Sequence, residues 1–235
     1  VLKSECLDLP EKTFVNVPFE LDEKVRDIYD QMEENFIAEV EGLDQTKPIR
    51  ILAPIILTKI MKLSQIASGF IKDEDGNAHS LSQTRINITN DLIESILESK
   101  NRVVVYTKFI WEFDELLKAL KKQALVLPVR GKTPSETRTK MFEIFQSNRK
   151  RKIVLLSMVS AGALGITLTA ASNMIFHNIS WSVDQYLQAQ DRIHRIGQTE
   201  KVTYYHIIAK KSVDTLILRS LRDKRKISDM ILDNP

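Results

Sequence analysis

Apolar residues recur along this chain with two different rhythms, and the change of rhythm divides it. Over 20–42, Val25, Ile28, Tyr29, Met32, Phe36, Ile37 and Val40 stand three or four apart, the spacing of one helix face. A second, more apolar helix is predicted over 51–68, with Pro54 tolerated in its first turn. Alternation at 13–18 predicts a short strand ahead of both. The polar, glycine-containing stretch GFIKDEDGNAHS, residues 69–80, reads as a linker loop. Beyond residue 88, apolar runs at 103–106, 124–129, 153–157, 173–177 and 202–208 predict strands. Between and after them, 90–99, 110–122, 134–147, 183–196 and 213–231 predict amphipathic helices. Thr133-Pro134-Ser135-Glu136 and Ser182-Val183-Asp184-Gln185 have the form of capping boxes at two of these helix starts. Strand and helix alternating in this way predict an α/β fold, a parallel sheet with helices on both faces, preceded by an N-terminal helical extension. In such sheets ligands sit beyond the C-terminal ends of the strands.

Composition narrows the class without naming it. The 235 residues are 43% hydrophobic and 28% charged, ordinary globular usage that excludes a disordered tail or a fibre. The single cysteine, Cys6, excludes a disulfide framework, and the four histidines do not stand with acids at ligand spacing, so no metal site is expected. No apolar run approaches the ~18 residues of a membrane span, and no signal peptide is evident. The first residue is Val rather than Met, which points to a piece of something larger. The net charge of +3 conceals a polarity: residues 1–100 carry 11 Lys and Arg against 19 Asp and Glu, a net of −8, so the remainder carries +11. That split fits solvated helix faces, or a C-terminal part that meets a polyanion.

Two segments carry candidate chemistry. In SMVSAGALGITLT, residues 157–169, Gly162 and Gly165 let the backbone approach a ligand while Ser157, Ser160 and Thr167 offer hydroxyls. Tight packing would use the same small residues. In QAQDRIHRIGQ, residues 188–198, Gln188, Arg192 and Arg195 are spaced by four and three and would share a helix face. Two guanidinium forks on one face suit phosphate oxygens, or a salt-bridged surface helix.

QAQDRIHRIGQ resembles motif VI of the Swi/Snf family of superfamily-two helicase-like ATPases, and the segment 157–169 resembles that family's motif V. RVVVYTKF, residues 102–109, resembles motif IV, and Val129 to Phe145, with Gly131, Arg138 and Phe145, resembles the segment that follows it. Residues 9–29 are similar to the segment after the family's first lobe, and 57–70 to its brace helix in bacterial and phage-type members. The chain departs from the pattern at Ala163-Leu164, which replace a glycine, at Thr167 and Asn178, where Asn and Asp are common, and at Ser182-Val183, where Asn-Pro is usual.

The resemblance implies a RecA-like C-terminal lobe over 83–235, with motifs IV to VI, and a helical protrusion and brace over 1–82. It implies arginine fingers at Arg192 and Arg195, coupled to nucleotide through Gln188. Nucleotide-binding residues would be Gly162, Gly165 and Asp191. Thr107, Lys108, Arg130, Lys132, Ser157, Ser160, Thr167 and Trp181 would face a DNA backbone. No G-x-x-x-x-G-K-[ST] and no DE-x-H pattern occurs in the chain, so ATP and Mg would be bound mainly by a first lobe outside these residues. The implied protein is a DNA-dependent ATPase that translocates on double-stranded DNA, and this chain alone would be inactive. Its partners would be duplex DNA and its own N-terminal RecA-like lobe, with no membrane. The implied site is the cytoplasm of a bacterial or phage-infected cell, with the nucleus as the alternative. The competing function is a non-catalytic nucleic-acid- or protein-binding module that keeps the fold; intact Gln188, Arg192 and Arg195 favour the motor.

Overall fold

The computed structural model describes residues 9–41, 49–147, 150–158 and 166–232. Among them are eight strands and seven helices. In chain order they are β1 (Lys12–Phe19), α1 (Glu23–Glu41), α2 (Ile49–Ala67), β2 (Phe70–Lys72), β3 (Ala78–Ser80), α3 (Thr84–Ser99), β4 (Arg102–Thr107), α4 (Ile110–Leu120) and β5 (Leu125–Val129). There follow α5 (Ser135–Ser147), β6 (Ile153–Met158), β7 (Asn173–Phe176), α6 (Val183–Ile193), β8 (Val202–Ala209) and α7 (Val213–Leu232). None of these helices is long and apolar enough to cross a membrane.

Six strands form one parallel sheet in the order β1-β8-β7-β4-β6-β5. The central strands are the continuous apolar runs of the sequence. Every residue of β4 and of β7 is buried, with Val104 opposite Leu155 on one side and Met174 on the other. Burial on both faces leaves no polar side to alternate, and such a run is stable only beneath helices on both sides. This is the RecA-like α/β fold expected from the sequence.

β1 lies within the first 82 residues, yet it runs along the edge of the main sheet, with Lys12 opposite Val202 and Phe19 opposite Ala209. Its side chains alternate between half-buried and exposed, as an edge strand covered on one face requires, and Pro18 is tolerated there.

The stretch 69–80 is not a free linker. It holds the antiparallel pair β2–β3, and Phe70 stacks on Trp111 at 4.9 Å and meets Phe109 edge-on at 5.3 Å. Gly69 closes the base of this hairpin: its carbonyl accepts the N–H groups of Leu81 and Ser82. At φ +89°, a Cβ on Gly69 would lie 2.3 Å from the Ser82 carbonyl oxygen, so only glycine fits. The helix expected over 90–99 begins earlier, at Thr84, because Arg85, Ile86 and Thr89 continue its buried stripe toward the sheet.

Candidate functional site

The parallel sheet sorts the candidate residues onto two edges. Thr107 and Lys108 end β4, Arg130 to Thr133 follow β5, Ser157 lies near the end of β6, and Trp181 follows β7; all are at C-terminal strand ends. Helix α6 then runs back toward the N-terminal end of β8, about 16 Å for its 11 residues. Arg192 and Arg195 therefore lie at the opposite edge from the one where ligands of such sheets were expected.

At the first edge, Lys132 is exposed. Arg130 pairs with Asp114 and lies over the Phe113 ring at 4.2 Å. The Arg130 backbone N–H donates to the Thr133 hydroxyl at 2.9 Å while the Thr133 N–H donates to the Arg130 carbonyl, which fixes the turn carrying Lys132. Lys108 is largely buried over Phe109, and burial pushes its pKa down. Thr107 is fully buried, and the Ser157 hydroxyl donates to the Met158 carbonyl. Trp181 packs against the core. Ser160, Gly162 and Gly165, like Cys6, lie outside the described residues.

Ser182 caps α6 as its sequence predicts, its hydroxyl accepting the Gln185 N–H at 3.3 Å. The helix ends at Ile193, not 196, so Arg195 does not share a helix face with Gln188 and Arg192. Three contacts end it. The His194 ring Nε2 donates to the Pro10 carbonyl at 2.7 Å, and Gly197 takes φ +96°. The Gln198 amide donates to the carbonyls of Thr169, Ala171 and Ile193, and its Oε1 accepts the N–H groups of Thr199 and Glu200. The Leu168 N–H donates to the Arg192 carbonyl at 2.8 Å, so the segment after the glycine loop, Thr167 with it, is pinned to the arginine turn.

The arginines thus sit on a braced turn. Arg192 is half-buried, its Nε has no hydrogen-bond partner among the described residues, and its charge reaches the buried Tyr106 phenol. Burial pushes that phenol up to about 12, with Arg192 pulling the other way. Arg195 is exposed beside Ile196, which is 68% exposed. Gln188 is exposed and Asp191 half-buried. Gln198→Ala should destabilise the chain by roughly 2–3 kcal/mol in urea unfolding, because two buried carbonyls and a part-buried one lose their donor. A loss below about 0.5 kcal/mol would remove it as the brace.

Sequence patterning missed a buried ionic cluster at the C-terminal ends of β4 and β7. Arg85 pairs with Asp214, both nearly inaccessible, and also donates to the His177 carbonyl at 3.0 Å. Glu112 is fully buried, and burial raises its pKa from 4.5 to about 7, against the opposing pull of Arg85 and nearby polar groups. The signal was available: Glu112, Leu116 and Leu120 are four apart on one stripe of α4, where an acid is out of place. Because the folded state holds a proton that the unfolded chain releases, this group makes stability fall as pH rises from 4.5 to about 7. His206, lowered from 6.5 to about 4 by burial, acts in the opposite direction over its own window. The difference between wild type and Glu112→Gln isolates the first effect: the variant should gain roughly 3 kcal/mol more at about pH 8 than at about pH 4.5. An equal difference at both would contradict the assignment. Among the described residues, no group of three or more His, Cys, Asp or Glu could hold a metal ion.

Residues 85–197 match the helicase conserved C-terminal domain, which defines the class of the protein as a helicase C-terminal lobe. Within that class the chain matches the C-terminal ATPase lobe of Swi2/Snf2 proteins. It superimposes on the Sulfolobus solfataricus SWI2/SNF2 ATPase core in complex with dsDNA with a TM-score of 0.73 and 27% identity, covering 94% of this chain and 46% of that one. It is 30% identical to an uncharacterized ATP-dependent helicase of Mycoplasma genitalium over 94% of this chain and 21% of the relative. It is 35% identical to the chromatin-remodeling ATPase INO80 of Mycosarcoma maydis over 60% of this chain and 7% of the relative. The chain spans about a fifth of the length of the Mycoplasma relative.

Proposed function

We propose that this chain is the second motor lobe of an ATP-driven translocase on double-stranded DNA and that it completes a nucleotide site built mainly by a first lobe. The observation that carries this is the braced turn at the end of α6. It presents Arg195 to solvent and leaves Arg192 Nε without a hydrogen-bond partner among the described residues, in a sequence with no phosphate-binding loop of its own. Two guanidinium groups fit the γ-phosphate of ATP, which supplies the anion they would neutralise as charge develops. Mg would be held by the first lobe. Gln188, Asp191, Gly162 and Gly165 are proposed to line the same cleft, and the exposed Ile196 suits a surface closed by a partner lobe.

Lys108, Arg130, Lys132, Trp181 and the Ser160 hydroxyl are proposed as the DNA track, while Thr107 and Ser157, buried in this structure, would lie beneath it and Thr167 lies at the arginine turn. Ammonium and hydroxyl contacts to phosphate carry no sequence information, as movement over any sequence demands. Lys132→Ala should weaken duplex binding alike on unrelated sequences and reduce the slope of log affinity against log salt by about 1. An unchanged slope would take Lys132 off the track. The motor reading is tested by ATP-driven displacement of a third strand from a DNA triplex by the natural full-length protein. Displacement that needs ATP and leaves the duplex intact supports it. Duplex binding without displacement would favour a binding module.

A further inference from the structure

Glu112 and His177 face each other in the buried cluster with an unusual hydrogen-bond deficit. Glu112 Oε2 accepts the Phe109 N–H at 3.1 Å. Its Oε1 lies 3.7 Å from His177 Nε2, and neither atom has a hydrogen-bond partner among the described residues. On the far side of the ring, His177 Nδ1 lies 2.8 Å from the Thr89 hydroxyl. That hydroxyl has one proton, and it donates it to the Arg85 carbonyl at 2.9 Å. With that bond to Arg85 made, Thr89 accepts from Nδ1–H, the tautomer that leaves Nε2 with a lone pair aimed toward Glu112. Two lone pairs facing each other in a buried site repel, whereas a proton on Oε1 lets the two atoms close from 3.7 Å to an O–H to N bond.

We propose that Glu112 and His177 share one exchangeable proton and that the pair are positioning residues for the motor reaction. The proton comes from solvent and binds Glu112 Oε1; no other bond forms or breaks. With it in place the first turn of α4 is drawn to the end of β7, and without it the two part, while the strands stay joined through the His177 N–H and the Tyr106 carbonyl at 3.0 Å. The consequence follows from what each side carries. Lys108, just before α4, lies on the proposed DNA track. Asn178, whose amide donates to Ser68 just beyond α2, leads from β7 through Trp181 to the Ser182 cap of the finger helix. A change of spacing here is passed along α6 to Arg192. The charged groups facing the pair are Arg85 from α3, Asp214 from α7 and Lys108 beside β4, while Ser64 on α2, Ser68 just beyond it and Asn178 after β7 contribute only hydroxyl and amide groups.

The positioning role rests on the motor reading; the shared proton does not. The test is pH-difference infrared spectroscopy of the natural full-length protein, read at the protonated-carboxyl band, alongside the pH profile of DNA-stimulated kcat. Wild type should show one carboxyl that protonates near neutral pH, is missing in Glu112→Gln and shifts its midpoint in His177→Gln. The wild-type kcat should change at least about threefold across that midpoint with KM for ATP unchanged, and Glu112→Gln should remove the step. No near-neutral carboxyl, or one that His177→Gln leaves unmoved, overturns the shared proton. Superimposable kcat profiles overturn the positioning role. If Glu112→Gln fails to fold, the wild-type band and its shift in His177→Gln still decide. A wild type that hydrolyses no ATP ends the motor reading and the positioning role with it, while the carboxyl band still decides the proton.

Discussion

Arg195→Ala in the natural full-length protein should lower DNA-stimulated kcat by about 10³-fold or more, with KM for ATP changed far less. The argument is geometric and electrostatic. Arg195 stands on a turn held by Gly197, Gln198 and the His194 contact to Pro10, so its backbone is already in place when charge develops on a transferred phosphoryl group. Arg192→Ala should show a comparable loss, since its guanidinium emerges from the same turn. Arg195→Lys keeps a charge and loses the planar fork, so it should recover only part of the activity. DNA affinity should stay near wild type in all three, because the arginines lie on the opposite strand edge from Lys108 and Lys132. A kcat within about threefold of wild type in both alanine variants would remove the fingers from the mechanism.

The largest stability effect should come from Arg85. Its guanidinium is 1% exposed, pairs with Asp214, donates to the His177 carbonyl and lies over the Phe19 ring at 5.2 Å. Asp214 in turn accepts the Ala209 N–H at 3.0 Å as β8 passes into α7. One side chain thus joins α3, β7, β1 and α7. Arg85→Ala leaves a buried carboxylate unpaired, and urea unfolding should show a loss of roughly 3–5 kcal/mol. Adding Asp214→Ala should cost less than the sum of the two single changes, because the second removes the charge that the first stranded. A single-variant loss below about 1 kcal/mol, or strict additivity, would contradict this account of the pair.

The sequence carried the sheet and the arginine motif well, and the reason is local. Runs such as Val103 to Tyr106 and Ile153 to Leu156 have no polar side, so they can only be central strands of a covered sheet. Ser182 announces the start of α6 within four residues of itself. What escaped is decided by partners far along the chain. β1 pairs with a strand some 190 residues away, so alternation could show a half-covered strand but not whose edge it takes. The hairpin at 70–80 looks polar because its apolar anchor is short, Phe70 with Ile71 beside it, and Phe70 stacks on a tryptophan 41 residues later. Periodicity placed Arg195 on a helix that ends two residues before it; the stop is set by Pro10 and by backbone carbonyls near Thr169, invisible to local spacing. Arg85, Glu112 and Asp214 stood in plain sight as charges within apolar stripes, and a charge in such a position signals a buried partner even when the partner cannot be named.

The most direct test of the central claim is ATP hydrolysis by the natural full-length protein with and without duplex DNA, with the 235-residue chain alone as the control. Hydrolysis by the full-length protein that duplex DNA stimulates, and none by the chain alone, is the result expected of a second motor lobe. Hydrolysis by the chain alone would mean that it holds a complete nucleotide site, and none by the full-length protein under either condition would mean that the lobe binds without driving a motor.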